Sequence, residues 1–266
     1  MRMNLTGRVA VITGAGRGLG KAIALALELS GANVTLFSLL EDELKDIAAD
    51  LEKLGGEYLL HTGDVSDEHD AASVVAETFA RFSRIDILVN NAGIIGPARF
   101  LEDAVPSEWK QTLDVNLTGS YLFCREVIPY MIKQGGGKII NIVSGLGQMP
   151  FPRFCAYSVS KAGLIQLTRS LSEELNPFNI QVNAIDPGLM DTTMGNEIRA
   201  MGPDVLGKGL YNRMIGYKEQ GILKDPRDIA DLAAFLASSD SGDMTGHIGT
   251  PKYYRTLGWK PSEPNI

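Results

Sequence analysis

Four glycines occupy alternate positions in Thr13-Gly14-Ala15-Gly16-Arg17-Gly18-Leu19-Gly20, between the apolar run Val9-Ala10-Val11-Ile12 and an Ala/Leu-rich stretch over 19–29. A strand that turns through glycines into a helix, followed by a second strand at Val34-Thr35-Leu36-Phe37, has the βαβ rhythm of a parallel sheet. The alternation continues along the chain. Helices are expected near 41–54, 68–82, 107–133 and 156–175. Strands are expected near 58–61, at Ile87-Leu88-Val89, and over 138–143 and 180–184.

This pattern predicts an α/β fold: a Rossmann-like, doubly wound parallel sheet of six to seven strands in a three-layer α/β/α arrangement. No repeat, linker or low-complexity stretch divides residues 1–266, so a single domain is expected. Residues 189–221 break the rhythm with scattered Met, Gly and charge and are expected to form a substrate loop or lid. Residues 251–266, rich in Pro and aromatics, read as an irregular, atypical C-terminal tail.

Glycines at the strand-to-helix junction let a pyrophosphate approach the backbone, and the helix amino terminus offers unpaired N–H groups with positive potential. The spacing is Gly-x-x-x-Gly-x-Gly, carried by Gly14, Gly18 and Gly20, with Arg17 and Leu19 between them. A dinucleotide site ordinarily has an acid about twenty residues on, at the end of the second strand, for the adenosine ribose. Here that position is Ser38, and Glu41 and Asp42 read as first-turn helix charges. With no carboxylate to repel a 2′-phosphate and Arg17 able to approach one, NADP(H) is favoured over NAD(H). Leu39, which offers no second cation, keeps NAD(H) open.

A second pattern bears on chemistry. In Tyr157-Ser158-Val159-Ser160-Lys161 the phenol and ammonium are one helical turn apart, and Ser144 precedes them at the end of the 139–143 apolar run. An ammonium beside a phenol is expected to lower a pKa that otherwise lies near ~10. The pair would then serve as proton donor and acceptor for a carbonyl or alcohol.

These residues resemble the classical short-chain dehydrogenase/reductase family from about Thr6 to Gly249. The glycine loop, Asn90-Asn91-Ala92-Gly93, Asp114-Val115-Asn116-Leu117, the Ser144/Tyr157/Lys161 set and Pro187-Gly188-Leu189-Met190-Asp191-Thr192 occur in the family's order. The resemblance implies a catalytic set of Asn116, Ser144, Tyr157 and Lys161. Ser144 would bond the substrate oxygen, Tyr157 would exchange the proton, Lys161 would bind the nicotinamide ribose, and Asn116 would hold a relay water. It implies cofactor contacts from Gly14, Arg17, Gly18, Leu19, Gly20 and Ser38, from Asp64 and Val65 beside the adenine, and from Asn91, Ala92 and Gly93. Tyr157, Lys161, Pro187, Gly188, Met190 and Thr192 would complete the nicotinamide end. Asp64 has a structural alternative as the cap of the helix beginning near Asp67.

The implied activity is NAD(P)-dependent transfer of hydride between nicotinamide and a secondary alcohol or ketone of 3-oxoacyl, sugar, polyol or cyclic type. A catalytically silent binding protein and a lyase or epimerase using nicotinamide transiently are the other classes considered. Leu146, Met149, Phe151, Phe154, Met190, Met194, Met201, Tyr211 and Met214 are candidates for an apolar pocket, and Arg153 for a substrate anion. The formal charge of -7 argues against nucleic acid and anionic membrane as partners. Two cysteines without a Cys-x-x-Cys spacing, three scattered histidines and no apolar leader or span point to a cytoplasmic protein without a metal site. A homo-oligomer, dimer or tetramer, is expected, although Thr245-Gly246-His247-Ile248-Gly249-Thr250-Pro251 shortens the last strand that many relatives use for assembly.

Overall fold

A computed structural model describes residues 3–261. Seven strands form one sheet: β1 (Val9–Thr13), β2 (Asn33–Ser38), β3 (Tyr58–Thr62), β4 (Ile87–Asn90), β5 (Gly137–Ile142), β6 (Ile180–Ile185) and β7 (Ile248–Gly249). All pairings are parallel, in the order β3-β2-β1-β4-β5-β6-β7. The chain winds outward from β1 in one direction and then restarts at β4 in the other, which leaves a crevice above the carboxyl ends of β1 and β4.

Helices cover both faces. Ile12, Leu36, Val89 and Ile140 point into a core shared with α1 (Gly18–Leu29), α2 (Glu41–Leu54) and α10 (Pro226–Ala237). Their neighbours Val11, Phe37, Leu88 and Ile139 point the other way, toward α3 (Glu68–Phe82) and α5 (Gly119–Gln134). Because both faces are buried, these strands read as continuous apolar runs rather than alternating ones.

Local signals explain most helix ends. Three acids open α2, Lys53 sits in its last turn, and Gly55 closes it in the left-handed conformation at φ 81°. Asp67 caps α3 by accepting from the backbone N–H groups of His69 and Asp70. The capping role considered for Asp64 therefore falls to Asp67. Asp64 instead accepts from the Ser66 N–H and hydroxyl at 2.8 and 2.7 Å.

Three regions differ from the sequence expectation. The single helix expected over 107–133 is α4 (Pro106–Leu113), a π-helical turn (Asp114–Thr118) and α5. The widened turn surrounds Asn116, and such turns gather at functional positions. The irregular segment at 189–221 contains α7 (Thr193–Ala200), α8 (Gly202–Leu206) and α9 (Lys208–Glu219). Glycines at its helix junctions, Gly202 and Gly207, interrupt the periodic pattern.

The third difference is the tail. Pro251–Thr256 is helical (α11), with Thr250 capping it. Tyr254 and Trp259 are buried at 0% and 2% exposure in the core that contains α1 and α10. The Tyr254 hydroxyl lies 3.0 and 2.9 Å from the carbonyl oxygens of Ala184 and His247, bracing the two-residue β7. Residues 262–266 of the expected tail lie outside the described residues. Among the described residues no helix is long and apolar enough to cross a membrane.

Candidate active site

β1 ends at Thr13, and the chain then turns through Gly14 and Gly18 with positive φ of 61° and 54° before entering α1. A side chain at Gly20 would collide with the Gly14 carbonyl. The absent Cβ is therefore what lets α1 start so close to the strand. Leu19 turns its side chain into the core, leaving its backbone as the part that faces the loop. No side chain caps α1 and no acid lies in its first turn, so no carboxylate of the helix itself competes for its N–H groups.

The segment after β4 is tied to this loop. The Asn91 and Ala92 N–H groups donate to Thr13 Oγ1 at 3.0 and 3.1 Å, and the Asn91 amide donates to the Thr13 and Gly14 carbonyls at 3.0 Å each. Next comes Gly93, where a Cβ would lie 3.2 Å from Asn116 Oδ1 and 3.5 Å from Lys161 Nζ. The glycine loop, the motif after β4 and the candidate catalytic residues thus border one crevice.

Asn116 is fully buried and held on three sides. Its amide accepts from Ile94 N at 2.8 Å and donates to Ile94 O at 2.9 Å and Ser160 Oγ at 3.0 Å. The side chain is thus committed to structure, and the main-chain carbonyl is a separate acceptor. At present it accepts from the Ser120 hydroxyl at 3.3 Å.

Tyr157 and Lys161 project from α6 (Cys155–Leu175) and are 8% and 4% exposed. Ser144, just past β5, faces the Tyr157 phenol closely enough to favour its ionised form, and accepts from Leu146 N at 3.3 Å. Lys161 Nζ donates to the Ile142 carbonyl at 2.8 Å and lies 5.8 Å from the centre of the Tyr157 ring. Burial pushes Tyr157 up to about 12, opposed by the neighbouring Ser144 hydroxyl and reinforced by the Asp186 charge. Burial pushes Lys161 down to about 8. The expected lowering of the phenol pKa by its lysine is thus corrected: among protein atoms alone, desolvation outweighs any help from the ammonium.

Asp186 went unnoticed in the sequence. It follows β6 directly, accepts from Gly188 N at 3.0 Å and approaches Gly145 so closely that a Cβ there would be 3.2 Å from its Oδ2. Its only sequence signal is a charge at the carboxyl end of a central strand, where open α/β folds place their sites.

Pro187 and Gly188 are fixed by Lys224 Nζ, which donates to the Pro187 carbonyl at 3.0 Å. Met190 packs against the large core shared with Leu19. Thr192 caps α7 through Gly195 N, and its methyl would lie 3.8 Å from a Cβ at Gly18, across the crevice from the glycine loop. Val65, packed against Gly119, borders the same end of the sheet after β3.

The end of β2 departs from expectation in a second way. Ser38 Oγ donates to Glu43 Oε2 at 3.3 Å, and Glu43 Oε1 lies 3.2 Å from Arg17 Nη1. A carboxylate therefore does stand there, delivered by α2 rather than by the strand. The reading that favoured NADP(H) assumed that no such group was present. Glu43 was hidden by its position, five residues beyond Ser38, where only the path of the intervening turn brings it back.

Tyr157 also packs in an apolar cluster with Ala98, Phe154, Leu206 and Met214, flanked by Leu146, Phe151, Met201 and Tyr211. Most candidates for an apolar pocket thus converge on the cluster that holds Tyr157; Met149, 62% exposed, Met190 and Met194 do not. Arg153 adopts φ 73°, lies 4.2 Å over Phe100 and donates to the Val205 carbonyl at 3.0 Å. It fastens the α8 segment rather than standing free for a substrate anion.

A short chain dehydrogenase family model matches residues 8–202. Trans-4-hydroxycyclohexanecarboxylate dehydrogenase of Sinomonas cyclohexanicum is 36% identical over 249 residues, covering 90% of this chain and 89% of that protein. The crystal structure of NAD+-bound xylitol dehydrogenase superposes with a TM-score of 0.84 at 30% identity, covering 92% of this chain and 98% of the other. A structure from Beutenbergia cavernae, assigned as an NAD(P)-dependent gluconate 5-dehydrogenase with NADP at low occupancy, gives 0.83 at 32% identity, covering 94% and 97%. Since the match spans both the glycine loop and the helix bearing Tyr157 and Lys161, the chain belongs to the short-chain dehydrogenase/reductase family and is an NAD(P)-dependent oxidoreductase.

Proposed function

We propose that this oxidoreductase interconverts a secondary alcohol and its ketone, with Tyr157 giving a proton to the carbonyl oxygen in reduction and taking it back in oxidation. The observation that carries the reading is the convergence of Ser144 on the Tyr157 phenol, one turn from buried Lys161 and packed into the apolar cluster. Ser144 would orient the substrate oxygen. Lys161, already lowered to about 8, would pass protons at modest cost and electrostatically favour the phenolate. Asn116 would fix a water through its main-chain carbonyl.

The crevice fits a dinucleotide: α1 lacks a capping side chain, and the close approach of Gly14 and Gly20 leaves backbone at its rim. Gly14, Arg17, Gly18, Leu19 and Gly20 would receive the pyrophosphate, and Ser38, Asp64 and Val65 the adenosine end. Asn91, Ala92 and Gly93 would line the path to Tyr157 and Lys161 at the ribose, with Pro187, Gly188, Met190 and Thr192 at the carboxamide. When bound, the nicotinamide supplies or takes up the hydride. Ser38 and the half-exposed Arg17 support NADP(H), and the carboxylate of Glu43 supports NAD(H).

The cluster around Tyr157 supports a substrate with an apolar frame, a cyclic alcohol or a 3-oxoacyl chain, over a sugar or polyol. The likeness to a hydroxycyclohexanecarboxylate dehydrogenase supports the cyclic class. The segment over 189–221 would form its lid. Exposed Phe100, Leu101, Val105 and Tyr121 support a homo-oligomer, and the free thiols Cys124 and Cys155 support a reducing, cytoplasmic setting.

The test is a panel of cyclic, 3-oxoacyl and polyol substrates read at the nicotinamide absorbance. Wild-type turnover is expected on an apolar class. Tyr157→Phe is expected to lose about 10²–10⁴-fold in turnover while still binding dinucleotide. Near-normal turnover of that variant would overturn the mechanism.

A further inference from the structure

Glu43 lies in the first turn of α2, yet its side chain folds back across the mouth of the glycine loop. A Cβ at Gly16 would meet the Glu43 Cβ at 2.5 Å and its Oε2 at 3.0 Å, so the glycine is what lets this side chain lie against the loop. One carboxylate oxygen accepts from Ser38 and the other faces Arg17, while the side chain is 21% exposed. Arg17 also faces Glu197 of α7 at 3.6 Å.

A dinucleotide whose pyrophosphate rests at the start of α1 places its adenosine ribose beyond the end of β2. Glu43 and Arg17 meet there, and Arg17 also faces Glu197. A ribose diol can donate to a carboxylate in such a place, whereas a 2′-phosphate would meet like charge and find Arg17 already paired. We infer that Glu43 makes this chain select NAD(H) over NADP(H), supplying the carboxylate that β2 lacks and withdrawing Arg17 from a 2′-phosphate. The inference rests on the dinucleotide site proposed above.

The experiment is equilibrium binding of NADH and NADPH to the substrate-free protein, followed by nicotinamide fluorescence, with thermal unfolding as the control for fold. Wild type is expected to bind NADH about tenfold or more tightly than NADPH. Glu43→Gln should narrow that ratio about tenfold, and Glu43→Lys should reverse it. Arg17→Gln should weaken NADPH binding, relative to NADH, more in the Glu43→Gln background than in wild type, because there the guanidinium is released from Glu43. A wild-type preference for NADPH, or a ratio unchanged by Glu43→Gln, overturns the inference while leaving the dinucleotide site intact. Absence of binding by either dinucleotide overturns both.

Discussion

Lys161 donates to the carbonyl of Ile142 at 2.8 Å, so the ammonium is anchored to the end of β5 rather than to the phenol one turn before it. Both groups on this turn are buried, and burial drives them oppositely: Tyr157 up to about 12 and Lys161 down to about 8. At neutral pH the phenol keeps its proton. That is the form in which the proposed mechanism would use it to protonate a carbonyl.

Oxidation needs the phenolate, and its rate is expected to climb steeply between pH 7 and 9, while reduction is flat or falls over the same interval. The Asp186 charge also raises the phenol pKa, so Asp186→Asn should move the oxidation profile toward lower pH. Initial rates in both directions, measured across that interval, check this. A flat oxidation profile would contradict it.

Lys161→Met should abolish turnover yet raise the unfolding temperature near pH 7. The lowered folded-state pKa means that between about 8 and the ordinary 10.5 the unfolded chain holds more protons than the folded one, so stability rises with pH over that window. Below about 8 the folded chain carries a buried charge at full cost, and removing it should gain about 1–3 kcal/mol. Thermal unfolding from pH 6 to 10 should show a pH-linked gain in wild type that is smaller in the variant.

Asn116→Ala should lower both stability and turnover. It leaves the Ile94 N–H and C=O and the Ser160 hydroxyl without their amide partner, at about 1–3 kcal/mol for each buried group left unpaired. Denaturant unfolding measures the first effect. Turnover of the folded fraction measures the second.

Trp259→Ala should destabilise the whole domain by about 3–5 kcal/mol, because the ring fills the core beside α1 and α10 instead of covering the surface. Chemical denaturation checks the magnitude. A loss below about 1 kcal/mol would show that the carboxyl-terminal segment packs weakly.

The fold class and most of the site were legible because they rest on local rules. Strand runs, helix caps and the glycine spacing act within a few residues; Gly14, Asn91 and Ser144 follow the ends of β1, β4 and β5, while Asn116 and Tyr157 lie on the helical segments between and after them. The shape of 189–221 and the burial of Tyr254 and Trp259 were not legible, since short glycine-broken helices show little periodicity and a tail's aromatic residues do not say which surface they will find.

The sequence by itself determined the parallel α/β architecture, the glycine loop at the start of α1 and the Tyr157/Lys161 helical turn, because each depends on backbone preference and side-chain period. Only the tertiary structure decided the balance of charge. It buried Tyr157 and Lys161 so that desolvation governs their protons, placed Asp186 near the phenol, and returned Glu43 to Arg17 and Ser38. Those effects depend on distance and dielectric across segments far apart in the chain, which no local pattern records.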